Sequence, residues 1–178
     1  SEMCIRDRYT PTPQITFDWQ KGFLRMESPT AVMWTGFLAR YGKEIRLAGG
    51  VVVHEIEIQN DEGLYDPVGP DEQYLAFAMY AEDGMPLDQS SKIAISLVST
   101  SFNTGFRLPE GEGDSVRAGT YPVRYARVGA TIEYESLQGM RYVYRDWHNL
   151  PIEEGILSGR RLKIPAQERI WYIELTRP

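Results

Sequence analysis

The stretch "RYVYRDWHNLP" (141–151) gathers the side chains best suited to chemistry in this chain. Tyr142 and Tyr144 alternate with Arg141 and Arg145, and Asp146, Trp147, His148 and Asn149 follow without a gap. At a period of two, Met140, Tyr142 and Tyr144 share one face of a strand; Arg141, Val143 and Arg145 share the other. Trp147 follows "YRD" and precedes "HNLP", which puts it at a strand end or in a loop. A loop tryptophan offers a flat apolar face to a pyranose ring. Arg145, Asp146, His148 and Asn149 add donors and acceptors for sugar hydroxyls. The bland alternative is a Trp147 folded back as a lid on the core. Strand parity forbids Trp147, Tyr142, Tyr144, Arg145, Asp146, His148 and Asn149 from sharing one face. If both tyrosines point inward, the site shrinks to 145–149.

Other chemistries find less support. Glycoside hydrolysis needs two carboxyl groups a fixed distance apart, one with a raised pKa. The 25 acidic residues form no recognisable local motif for it. No G-x-S-x-G elbow exists, and only His54 and His148 are available as a base. His54 sits in a strand pattern on the parity of Val52 and Ile56, which reads as a hydrogen-bonded core or sheet-edge histidine. Two distant histidines and one cysteine make no transition-metal spacing. Calcium fits better: "NDEGLYDPVGPDE" (60–72) offers Asp61, Glu62, Asp66, Asp71 and Glu72 as hard oxygen ligands, without EF-hand spacing. Its alternative is a solvated acidic loop. Apart from that structural calcium, no cofactor is implied.

Composition bounds the rest. The chain has 178 residues, enough for one domain. A net charge of −6 and no basic stripe argue against nucleic-acid binding. No apolar run is long enough to span a membrane. A single cysteine, Cys4, excludes an intrachain disulfide. The opening "SEMCIRDRYTPTP" lacks the apolar segment of a signal peptide. "MCIRD" resembles translated adapter read-through at the end of a metagenomic reading frame. Residues 1–13 are therefore expected to be a scar or disordered, and 14–178 a single domain.

Alternating apolar residues dominate that domain. "QITFDW" and "FLRMES" flank a turn at Lys21–Gly22. "EIRLAGG" and "VVVHEIEI" read as two strands joined near Gly49–Gly50. Two apolar strands flank "EDGMPLDQSS", a hairpin with Asp83–Gly84 as its turn. "TYPVRYARVG", "ATIEYES", "MRYVYRDW", "RRLKIPA" and "ERIWYIEL" continue the series. The 11 prolines and 16 glycines are spread throughout, and no long stretch has helical periodicity. This pattern predicts an all-β fold, an antiparallel β-sandwich of jelly-roll or immunoglobulin-like type. Parity puts Trp19 (with Ile15 and Phe17) and Trp171 (with Ile173 and Leu175) in the core. Trp34 lies in a mixed run that assigns it to neither side.

The segment 82–108 resembles part of the C-terminal β-sandwich domains of certain multidomain glycoside hydrolases. It carries Asp83, Gly84, Pro86 and Leu87, then Ser90 or Ser91, an apolar strand, and Asn103-Thr104-Gly105. The opening hairpin with its W-x-x-G turn at Trp19–Gly22 and the closing "RRLKIPAQERIWYIEL" are also similar, so the resemblance spans roughly 14–176. It implies an accessory, non-catalytic module whose partners are a polysaccharide and a catalytic barrel. It also implies a bacterial protein, secreted or periplasmic if its parent degrades polysaccharide. The matching residues read as structural: Asp83–Gly84 as a turn, Asn103–Gly105 as a bend or bulge. Two further readings stand beside this one. One is a purely structural domain that packs on a barrel or on itself. The other is a small β-sandwich hydrolase or lyase using Tyr144, Arg145 and His148.

Overall fold

The computed structural model describes residues 14–66 and 73–178. The expected scar therefore lies outside the described residues, as do Asp71 and Glu72 of the acidic loop. Two antiparallel sheets pack face to face, as the alternation predicts.

The larger sheet has eight strands. In chain order they are β1 (Ile15–Asp18), β2 (Phe23–Glu27), β3 (Ala31–Phe37), β6 (Tyr74–Ala81), β7 (Lys92–Val98), β10 (Arg141–Arg145), β11 (Pro151–Ile156) and β13 (Tyr172–Thr176). Their spatial order is β1-β2-β3-β6-β7-β13-β10-β11. The smaller sheet contains β4 (Ile45–Arg46), β5 (Val52–Asn60), β8 (Ser101–Thr104), β9 (Thr120–Glu133) and β12 (Arg161–Ile164). Its order is β12-β9-β5-β4, with β8 paired to the first part of β9. One helical turn, α1 (Leu38–Tyr41), follows β3 directly.

Burial follows strand parity. Val32, Trp34, Leu75, Phe77, Met79, Ile93, Ile95, Ile173 and Leu175 from the larger sheet meet Val51, Val53, Val128, Ala130, Ile132, Leu162 and Ile164 from the smaller one. Trp34 is 1% exposed and stacks near Phe23 and Tyr41, which settles its side.

Three sequence expectations change. "TYPVRYARVG" and "ATIEYES" form one strand, β9, running through Gly129. Gly129 is no turn: a Cβ there would stand 2.6 Å from the backbone nitrogen of Ala166, so glycine permits a close approach in mid-strand. Trp19 is 58% exposed rather than buried. Ile15 and Phe17 pair with Met26 and Leu24 on the outer face of the sheet, and Trp19 lies beyond β1 in the turn. Trp171 keeps its core parity but precedes the first residue of β13, at the open end of the sandwich, and remains 47% exposed.

The fourth difference concerns β5. His54 pairs with Thr131 and Glu57 with Gly129, so Glu55 and Ile56 together oppose Ala130. This bulge reverses the parity: Val51 and Val53 face the core before it, and Ile56 and Ile58 pack on the core after it. Glu55 takes φ 51° to make the bend.

Candidate functional site

The turn after β10 is built by Asp146. Its Oδ1 accepts the backbone N–H of His148 and of Leu150, both at 2.9 Å. Asn149 adopts φ 64°, and its carbonyl accepts Arg145 Nη1 at 3.1 Å. A short polar side chain that bonds the backbone two residues on is the usual way to hold such a turn. Asp146 and Asn149 thus serve the loop's shape. The loop lifts Trp147 clear, 62% exposed, with the His148 ring 4.1 Å away at 47°.

The two tyrosines turn the other way. Tyr144 is 3% exposed, and its hydroxyl donates to the carbonyl of Lys163 at 2.6 Å, tying the larger sheet to β12. Burial holds its phenol well above the usual tyrosine range. Tyr142 stands 4.9 Å from it and donates to Glu153 Oε1 at 2.7 Å. Neither presents a free ring face beside Trp147. Arg145 projects from the outer face and pairs with Glu174 at 3.7 Å. The expected site therefore contracts to 145–149.

The structure adds residues that the sequence reading placed in the core or passed over. The N–H of Trp171 donates to the carbonyl of Arg145 at 2.9 Å, which brings Trp171 beside the Trp147 loop. Tyr125, on β9, meets Trp171 nearly perpendicularly, at 87° and 6.4 Å between centroids. Arg169 lies over the Tyr125 ring at 5.6 Å. A cavity of about 180 Å³ opens between them, lined by Ser99, Thr100, Ser101, Arg127, Ile170 and Trp171 among others. Burial foremost, with Asp61 and Asp146 nearby, raises the Tyr125 pKa, so its hydroxyl is a neutral donor and acceptor. The sequence signal for this corner is slight: Trp171 sits within "ERIWYIEL", a run that reads as one strand.

The acidic loop holds a different arrangement from the expected one. Asp61 is largely buried between Arg127 and Arg169, at 3.7 and 3.8 Å. Glu62 is exposed, and Asp66 lies near Asn60 Nδ2. Among the described residues, no group of three His, Cys, Asp or Glu side chains is placed to hold a metal ion.

A second polar cluster lies on the outer face of the smaller sheet. Glu133 receives Arg160 at 2.8 Å and Arg161 at 3.2 Å, and His54 Nε2 stands 3.5 Å from it. Glu55, aimed outward by the bulge, accepts the buried Thr131 hydroxyl, which lowers its pKa. The apolar pattern carried a signal for this bulge, the phase slip from Val51 and Val53 to Ile56 and Ile58. At the far end of the sandwich, beyond the end of β9, another opening, of about 630 Å³, is lined by Glu27, Pro29, Ala48, Leu87 and Tyr134.

The resembling motif residues are structural in place. Asp83 accepts bonds from Ser90 Oγ, Ser91 N and Oγ, and Met85 N, closing the β6–β7 loop. At Asn103–Thr104 the register between β8 and β9 shifts, with Tyr121 and Pro122 as the extra residues on β9, and Gly105 turns the chain at φ 79°. Compared with known proteins, the chain matches no protein-family model, no curated protein and no solved structure.

Proposed function

We propose that this domain is a non-catalytic carbohydrate-binding module, an accessory part of a polysaccharide-degrading enzyme. The observation that carries the reading is the exposure of two indoles, Trp147 and Trp171, on neighbouring segments that the Trp171–Arg145 backbone bond joins at one end of the sandwich. One ring face covering about 100 Å² contributes roughly 2–3 kcal/mol before ordering costs. Two such faces suit affinities in the micromolar-to-millimolar range. Arg145, His148 and the cavity hydroxyls supply the polar contacts. Affinity electrophoresis against a panel of polysaccharides tests it, with Trp147→Ala beside the wild type. Retardation that weakens in the variant supports the reading; migration unchanged on every glycan refutes it.

One observation favours a second reading, a domain that packs on a catalytic barrel or on itself. The outer face of β1, β2, β3, β6 and β7 carries Phe17, Leu24, Met26, Met33, Ala76, Ala78 and Val98 side by side in register. Phe17, Met26 and Met33 are exposed there. Contiguous exposed apolar surface of this kind marks interaction sites. Sedimentation that remains monomeric to high concentration, together with glycan binding, would remove the self-associating form of this reading.

A further inference from the structure

We infer that the Trp171–Tyr125 corner grips a single ring of a soluble, uncharged polysaccharide chain, and that it selects against both crystalline surfaces and polyanions. This inference rests on the carbohydrate reading above and deepens it.

The selection against crystals follows from ring geometry. A crystalline glycan presents a plane, and a plane lies flat only on coplanar rings. Trp171 and Tyr125 stand at 87° to each other, and the neighbouring Trp147 and His148 rings are tilted by 47°. A lone sugar ring suits a corner instead. Arg169 lies over the Tyr125 ring, so the Trp171 ring is the open platform and the Tyr125 hydroxyl the polar edge. The 180 Å³ cavity is smaller than the ~300–1,000 Å³ that encloses a drug-sized ligand, so one ring or side branch enters it. Thr100 and Ser101 lie along its wall, within reach of that ring's hydroxyls.

The selection against polyanions follows from charge. Arg127 and Arg169 both face Asp61, and Arg145 faces Glu174. Asp146 adds a further carboxylate in the adjoining loop. The three arginines are thus matched by three carboxylates, Asp61, Glu174 and Asp146, so the corner offers a uronate or sulfate no surplus positive charge, and the chain's net charge of −6 repels a polyanion at longer range. A neutral hydroxyl needs no surplus charge.

The test uses three groups of probes on the whole chain. The neutral soluble glycans are glucomannan, xyloglucan and mixed-linkage β-glucan; the polyanions are pectate and alginate; the insoluble probes are microcrystalline cellulose and chitin. The expected result is retardation by at least one neutral soluble glycan, unchanged between low and high salt. Trp171→Ala should weaken it about tenfold or more, while Trp171→Phe, which keeps a ring face, retains most of it. Thermal melts of both variants show that the fold is intact. Depletion by cellulose or chitin, salt-sensitive retardation by pectate or alginate, or neutral-glycan binding indifferent to Trp171→Ala in a folded variant would each overturn this inference while leaving carbohydrate binding itself standing. Absence of binding to all probes would overturn both.

Discussion

Tyr144→Phe separates a structural tyrosine from a ligand-binding one. The substitution removes one oxygen and leaves the ring, so it opens almost no cavity. What it removes is the bond from the hydroxyl to the Lys163 carbonyl at 2.6 Å, a tie between the two sheets. A buried bond of this kind, with its acceptor left unsatisfied, is worth about 1–2 kcal/mol. For a chain of this length that lowers Tm by roughly 2–8 °C. In urea, the midpoint should fall with the slope unchanged. Tyr142→Phe is the comparison: its hydroxyl bonds Glu153 near the solvent, so its cost should stay within about 0.5 kcal/mol. The pH dependence gives a second readout. Burial raises the folded pKa of Tyr144 above the ordinary 10.0. A raised folded pKa means that its stabilisation is complete below pH 10 and is lost as the pH rises beyond that value, because the unfolded phenol ionises first. The wild type should therefore lose stability above about pH 10, and Tyr144→Phe should lose less of it. A Tyr144→Phe variant as stable as the wild type, or one that keeps its stability and loses glycan binding, would refute the assignment of Tyr144 to the core.

Other outcomes follow from the same contacts. Gly129→Ala forces a Cβ against the Ala166 backbone, and overpacking of this type costs about 1–3 kcal/mol or more, read as a lowered melting temperature. The Asp83 carboxyl is held well below the usual carboxylate range, first by the Ser90 hydroxyl and then by the Ser91 and Met85 N–H groups. Its stabilisation is present above the ordinary value of 3.8 and is lost as the pH falls below it, so the stability gap between wild type and Asp83→Asn should narrow in acid. Three of the four tryptophans, Trp19, Trp147 and Trp171, are exposed, so acrylamide should quench most of the emission and leave a residue from Trp34. Emission resistant to quenching would contradict that distribution.

The acidic loop shows how far along the chain the partners of one carboxylate can lie. Five acids within 60–72 suggest calcium, but Asp61 is held by arginines from β9 and from the segment before β13, which no local pattern reveals. Asp66 lies by Asn60, and Glu62 faces the solvent. Chelating calcium and recording an unchanged melting curve would agree with this arrangement among the described residues.

The sequence by itself determined the all-β class, the sandwich, the β6–β7 hairpin and the alternation of Tyr142 and Tyr144 against Arg141 and Arg145. All of these depend on a period of two and on turn chemistry, which are local. It also placed Trp147 at a strand end or in a loop, because the Asp146 turn is written in consecutive residues. Tertiary structure decided the rest. Parity says which face of a strand a side chain takes, but not whether anything covers that face. Trp19 shares its period with apolar neighbours that lie on the outer face, and Trp171 keeps core parity but lies past the end of its strand, so the opposite sheet covers neither. Gly129 looks like a turn until Ala166 is packed above it, and the phase slip from Val53 to Ile56 becomes a bulge at Glu55 only when β9 is laid alongside β5. The corner of Trp171 and Tyr125 joins residues 46 positions apart in the chain. Only the packing of one sheet on the other brings these rings together, and that is not a property of any single strand.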